Sequence, residues 1–422
     1  MDMTTMEAYL AIIKEELVPA MGCTEPIALA YAAAKGREAL GVDPESIVAW
    51  CSGNIIKNVR CVTIPNSGGL TGIETACIIG AVAGDPEAKM EVLEHVTEPG
   101  RKRTRALVEE KVCKVKFLES EIPLHFILEM KAGEDEVSVE VRHAHTNIVE
   151  IKKNGEVIFE KSKETAENGD ATDRSILSID GIKEFADTVP MAMIRDIYER
   201  QIRYNMDIAY EGISGDWGLG IGRTIRECYT DSVVTRMKAY ASAASEARMG
   251  GCDLPVIINS GSGNQGIASS VPVIIYAREM NIPNERLYRA LALSSLLTIY
   301  QKEFIGKLSA FCGAVSASTA SAAAITYLVG GTTEQIKATI DNTLANIPGI
   351  ICDGAKISCA AKIASSLDAA MMAHHLAMKG KEYEAYTGIL KEDAGETISC
   401  VGYIGKVGMH QTDKEIIKMM LE

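Results

Sequence analysis

The chain is expected to fold as an α+β protein, with an antiparallel sheet in its N-terminal half and a large, mainly helical C-terminal domain. Three observations carry this. Between residues 111 and 160, Val112, Val115 and Phe117, then Val137, Val139 and Val141, then Val149 and Ile151 are interleaved with charged residues, the pattern of a sheet with one wet face. Asn154-Gly155 stands between Glu150-Ile151-Lys152 and Val157-Ile158-Phe159, and that dipeptide suits a two-residue hairpin turn. From about Ile179 helical periods dominate, broken by glycine-rich turns at 212–222, 260–266, 329–331 and 349–354.

Taken in order, Leu10, Ile13 and Leu17 share one helical face, so the chain opens with an amphipathic helix over Met6 to Leu17. The turn Met21-Gly22-Cys23-Thr24-Glu25-Pro26 interrupts it. Pro26 suits the first position of an Ala-rich second helix reaching about Leu40, because no amide hydrogen is needed there. Ser46 to Trp50 and Cys61 to Ile64 read as short strands on either side of Asn54-Ile55-Ile56-Lys57-Asn58. The polar stretch Ser162 to Ser175 reads as a linker, dividing an α+β domain over 1–165 from a helical domain over 176–422.

Composition narrows the function. With 422 residues and 47% apolar content the chain is long enough for two or three cores. A net charge of −14 argues against a nucleic-acid partner, which needs a concentrated basic face. Aromatic residues are only 5%, so closely packed helices are expected rather than a β-sandwich. Eleven cysteines are too sparse in so long a chain for a disulfide scaffold. Met1 to Leu17 carries Asp2, Glu7, Glu15 and Glu16 and lacks the basic and apolar blocks of a signal peptide. A cytoplasmic protein with reduced thiols is expected, with no membrane partner and with a homo-oligomer open. The uncharged run Leu308 to Thr333 is long enough to span a bilayer. Its Ser309, Ser316, Ser318, Thr319, Ser321 and Thr326 suit a buried helix better.

Among motifs, Gly261-Ser262-Gly263-Asn264-Gln265-Gly266 follows Val256-Ile257-Ile258 and fits G-x-G-x-x-G. The second strand and acid that a dinucleotide site requires do not follow. The run still suits an anion cradle at a helix start, or a mere tight turn. His374-His375 are adjacent on a helix and point apart. His143 and His145 alternate on a strand and read as a solvated face. No C-x-x-C is present; Cys51, Cys61, Cys77 and Cys113 read as core residues, and Cys228, Cys252 and Cys400 lack a distinguishing context. Cys23, Cys312, Cys352 and Cys359 sit near Gly or Pro. A helix would put the last two, seven apart, on one face, but spacing alone does not decide between a metal cluster and inert core thiols.

Gly22-Cys23-Thr24-Glu25-Pro26, Asn259-Ser260 with the glycine run to Gly266, Phe311-Cys312-Gly313 and Ile351-Cys352-Asp353-Gly354-Ala355-Lys356 together resemble the iron–sulfur L-cysteine desulfidase family over nearly the whole chain. The C-terminal half resembles, more distantly, the α-domain of iron–sulfur L-serine dehydratases. The resemblance implies a [4Fe–4S] cluster and conversion of L-cysteine to hydrogen sulfide, ammonia and pyruvate. It implies Cys312, Cys352 and Cys359 as cluster ligands, with Cys23 either replacing Cys359 or acting as a thiolate base whose pKa its helix start would lower. Glu25 of the same motif is a further catalytic candidate. Asn54, Asn66, Ser67, Ser260, Asn264 and Lys307 are candidate substrate-binding residues around a small amino acid. The same machinery acting on L-serine, pyridoxal phosphate chemistry at Ser262-Gly263-Asn264, and a non-catalytic cluster sensor are the rival readings; no lysine in a Schiff-base context supports the second.

Overall fold

A computed structural model describes residues 1–161, 171–306 and 308–421. Lys307, and residues 162–170 of the expected linker, lie outside the described residues.

The N-terminal half is a mixed α+β layer. Helix α1 (Met3–Glu16) is capped by Asp2, whose carboxylate accepts from the Thr5 amide. After the short strand β1 (Pro19–Met21), α2 (Thr24–Leu40) begins two residues before Pro26, with Cys23 as its N-cap. Then come β2 (Ser46–Cys51), α3 (Gly53–Val59), α4 (Gly72–Ala83) and α5 (Glu98–Glu109). Strands β3 (Cys113–Phe117), β4 (His125–Ala132), β5 (Asp135–Arg142), β6 (Ile148–Lys153) and β7 (Glu156–Glu160) complete it. The sheet runs β3-β2-β4-β5-β6-β7, parallel only between β2 and β3. Asn154 and Gly155 turn from β6 into β7 with φ of 53° and 84°, the left-handed pair a two-residue hairpin needs.

One face of this sheet is dry. Phe126, Leu128 and Met130 of β4 and Val137, Val139 and Val141 of β5 are all buried, against α2. Gly36 permits that approach, since a Cβ there would stand 2.4 Å from Met130 Sδ. Two expectations fail locally. Cys61 to Ile64 is not a strand; it contributes a single bridge, Thr63 to Thr71, and the segment before it is α3. Cys61 is accordingly exposed rather than core. His143 and His145 lie in the loop after β5, where the chain turns back at His143 with φ of 67°.

The C-terminal part is helical: α6 (Ile179–Thr188), α7 (Met191–Ser214), α8 (Ile221–Cys228), α9 (Val233–Met249), then strand β8 (Pro255–Ile257) and α10 (Gly263–Glu279). After these come α11 (Asn284–Ile305), α12 (Gly313–Leu328), α13 (Thr333–Asn346), α14 (Cys359–Met378), α15 (Ala394–Tyr403) and α16 (His410–Leu421). The run Leu308 to Thr333 becomes α12, whose serines and threonines are buried among neighbouring helices. Among the described residues no helix is long and apolar enough to cross a membrane. β8 pairs only with β1, antiparallel, so the glycine run after it does not open a Rossmann unit. One apolar core continues through both halves, from Ile12 and Leu29 to Leu291 and Ile363.

His374 of α14 is an acid-sensitive point of that core. It is 3% exposed, and its Nδ1 lies 2.8 Å from Thr326 Oγ1. Burial first, and His375 beside it, push its pKa down to about 4. The neutral form is therefore the folded one, and the unfolded chain takes up a proton near pH 6.5. This contribution is complete above pH 6.5 and is lost as pH falls toward 4, on the order of 3 kcal/mol in total. Denaturant unfolding at pH 7 and pH 5 is expected to show a smaller acid loss in His374→Asn than in the wild type.

Candidate active site

Four helices point their N-termini at one cavity of about 1100 Å³ between the two halves: α2 from Cys23, α10 from Ser262, α12 from Cys312 and α14 from Ser358 and Cys359. None of these N-caps spends a side chain on the helix amides. Asp2, Thr97, Ser178, Ser232, Thr332 and Asp393 do so at helices that start elsewhere, although α4, α7, α8 and α11, which also start away from the cavity, are likewise without a side-chain cap. Free amides and four positive dipole ends make the cavity a place for negative charge.

Cys23, Cys312, Cys352 and Cys359 all line it, and none of the other seven cysteines does. The loops carrying Cys312 and Cys352 are clipped together. Phe311 bridges Ile351, the Cys312 amide donates to Ile350 O at 2.8 Å, and the Cys352 amide donates to Ala310 O at 2.7 Å. Cys352 and Cys359 do not share a helix face. Gly354, with φ of 96°, folds the chain under the Lys57 carbonyl, where a Cβ would stand 2.1 Å from the oxygen, and Cys359 starts α14 beyond it.

The thiols differ in their surroundings. The hydrogen bond with Cys312, helped by Lys57 and Lys362, lowers Cys352 against burial, while the same contact and burial push Cys312 well up. Burial raises Cys359. The expected lowering at Cys23 is not found. It is 1% exposed, and burial pushes it up to about 12, with Arg248 the largest opposing influence. Its Sγ lies 3.7 Å from Met249 Sδ, in a small buried cluster with Cys359.

Of the other candidates, Glu25, Asn54, Ser260 and Asn264 line the cavity. Glu25 accepts from Thr24 Oγ1 at 3.0 Å, and Ser260 donates to Asn259 Oδ1 at 2.8 Å. Asn264 Oδ1 accepts from Arg248 Nη1 and Ser245 Oγ, each at 3.1 Å. Asn54 donates to Asp413 Oδ2 at 3.1 Å. Asn66 and Ser67 are elsewhere. Asn66 Nδ2 donates to Leu93 O at 2.8 Å, and Ser67 Oγ ties the Ile64–Leu70 turn, so both close loops rather than the cavity.

Lys57, which the sequence groups with Asn54, Asn66 and Ser67 as a pocket candidate, is 2% exposed and pairs with Asp413 of α16 at 2.5 Å, which draws the C-terminal helix onto the cavity. Other lining or supporting residues escaped the sequence reading. The 119–124 loop is fixed by Ser120 Oγ, 2.8 Å from His125 Nδ1, and by His125 Nε2, 2.8 Å from Glu140. That imidazole, more than Arg142, holds the Glu140 carboxyl below its usual range. Arg248 is buried against the start of α10.

The residues suit an iron–sulfur group by their donor chemistry. Soft thiolates are the usual ligands of such clusters, Cys312, Cys352 and Cys359 all line the cavity, and Lys57 and Lys362 favour negative charge at Cys352. Among the described residues no three His, Cys, Asp or Glu side chains stand close enough together to hold a metal ion, so the fit rests on donor type and on shared lining of the cavity.

Comparison with known proteins agrees with the more distant of the two resemblances. A family model described as serine dehydratase alpha chain matches residues 87–418. A protein of Lachnoclostridium phytofermentans named UPF0597 protein is 49% identical over 410 residues, covering 97% of this chain and 98% of its own. A protein of the same name from Treponema denticola is 46% identical over 429 residues, covering 100% and 99%. A third, from Desulfitobacterium hafniense, is 46% identical over 415 residues, covering 98% and 96%. With Cys312, Cys352 and Cys359 and the starts of α10, α12 and α14 inside the matched region, and with relatives aligned along nearly their full length, this chain belongs to the serine dehydratase alpha chain family.

Proposed function

We propose that the protein is a carbon–sulfur lyase, an L-cysteine desulfidase that eliminates sulfide from the β-carbon of L-cysteine. The observation that carries this is the convergence of Cys23, Cys312, Cys352 and Cys359 with four uncapped helix N-termini on one cavity. Cys312, Cys352 and Cys359 would hold a [4Fe–4S] cluster. When bound through three protein thiolates, such a cluster supplies a Lewis-acidic iron with an open position suited to a leaving sulfur.

The chain's own residues do the rest. Of the 261–266 run, the amides of Gly263, Asn264 and Gln265, which open α10 uncapped, and the Asn264 side chain receive the substrate carboxylate and stabilise the negative charge that grows next to it as the α-proton leaves. The Ser262 and Gly266 amides are spent on Asn259 O and Ser262 O. Cys23 Sγ takes that proton, which requires it to act as a thiolate; Arg248 is the group that favours this form. Glu25, Ser260 and Asn54 complete the lining of the cavity. Loss of the α-proton and of sulfide yields aminoacrylate, whose hydrolysis consumes one water and gives pyruvate and ammonia.

The family description favours L-serine as a second reading, with water leaving in place of sulfide. Rates for the two amino acids separate them. With anaerobically purified protein, kcat/KM for L-cysteine is expected to exceed that for L-serine by at least ~10-fold, the least a site built for one leaving group would give over another of similar size. A preference for L-serine would overturn the desulfidase assignment and leave the lyase assignment standing.

A further inference from the structure

Arg248 ends α9 with its guanidinium inside the cavity and is 3% exposed. It packs against the first residue of α10. A Cβ on Gly263 would stand 2.2 Å from Arg248 Nε and 2.6 Å from Cζ, so only glycine leaves room for the guanidinium at that helix start. Nη1 donates to Asn264 Oδ1 at 3.1 Å, whereas Nε has no partner. Among the described residues no carboxylate lies within ion-pairing distance of it. Other buried charges are matched: Lys57 by Asp413, Lys238 by Asp368, Glu16 by Arg174, and Glu246 by the amides of Leu219 and Ile221.

A guanidinium cannot shed its proton inside a protein, so its burial without a counterion is costly until an anion arrives. Its fork matches a carboxylate through two parallel hydrogen bonds. The uncapped amides at the start of α10 add donors on the same side. Met249 then fixes what lies next to such an anion: its Sδ is 3.8 Å from Asn264 Nδ2 and 3.7 Å from Cys23 Sγ. A carboxylate seated on Arg248 and Asn264 would carry its α-carbon to the Cys23 side of the cavity.

We infer that Arg248 is the carboxylate anchor of this site, restricting its ligands to small α-amino acids and 2-oxo acids with a free carboxylate. The inference deepens the proposed function by naming what the site recognises, but anchoring does not depend on which group is eliminated. Calorimetry on anaerobically purified holoenzyme tests it with L-alanine, which has no leaving group, and with L-alaninamide, which has no carboxylate. Wild type is expected to bind L-alanine at least ~10-fold more tightly than the amide. Arg248→Met is expected to lose roughly 30-fold or more for L-alanine, as when a buried charge loses its partner, and to bind acid and amide alike. Its iron content should not change. Arg248→Lys, which keeps the charge without the fork, should fall between the two and supplies the readout if the methionine variant does not fold.

L-alanine binding by Arg248→Met at wild-type strength would overturn the inference. So would loss of iron in either variant with the acid-over-amide preference intact, since the guanidinium would then serve the cluster thiolates. Failure of the wild type to prefer the acid would overturn it as well. A protein that eliminates neither sulfide nor water yet shows the expected binding pattern would leave the anchor standing while the proposed reaction fell.

Discussion

Cys352→Ala is expected to abolish iron binding and to lower the rate of sulfide release from L-cysteine at least ~100-fold, beyond the 10–100-fold that follows loss of an outer-shell partner at a metal site. The fold should survive. The backbone at this position is held by the amide bond to Ala310 O and by the Phe311–Ile351 bridge, neither of which uses the side chain. The thiol itself is half-buried on the cavity wall, so its removal leaves no closed void. Thermal unfolding within a few degrees of the wild type, together with lost iron, would tie the effect to ligation. Cys228→Ala, at an exposed position outside the cavity, should keep both iron and activity. An active, iron-loaded Cys352→Ala protein would remove this residue from the ligand set.

Cys23→Ala is expected to lower kcat by about 10²–10⁴, the usual contribution of a positioned acid or base, while iron content stays at the wild-type level. The position of the thiol is the reason. It belongs to the N-cap residue of α2 without bonding the helix amides, lies against Met249 and Cys359, and lines the cavity with Arg248 and Asn264. The same variant should fail to exchange the α-proton of L-alanine in deuterium oxide, a readout that needs no leaving group. Loss of iron in Cys23→Ala would instead make Cys23 a ligand and leave the base to another residue, with Glu25, the neighbouring carboxylate on the cavity wall, as the next to test.

Much of the fold was legible because the signals were local. A period of two and Asn154-Gly155 suffice for the β6–β7 hairpin, since both turn residues must take positive φ. Residues 53–59 were given no element of their own, since seven residues with Asn54 and Asn58 among them show too little periodicity; Ile55, Ile56 and Val59 join the main core, and Asn54 meets α16, more than 350 residues later. The cavity thiols were singled out by their Gly and Pro neighbours and by resemblance, not by spacing. Cys352 and Cys359 meet through the reversal at Gly354 rather than along a helix. Arg248 was illegible for a physical reason. A cation in a helix reads as a solvated face, and only the packing of α10 onto α9 turns it inward. The pKa of Cys23 was misread because a helix start lowers a thiol only where water reaches it, and here burial outweighs the dipole.

The central claim, that this cavity carries out β-elimination on L-cysteine, is tested most directly by the product stoichiometry of the anaerobically purified, iron-loaded protein. Incubated with L-cysteine, it is expected to release pyruvate and sulfide in equal amounts. Iron-loaded protein that forms neither product from L-cysteine would contradict the account.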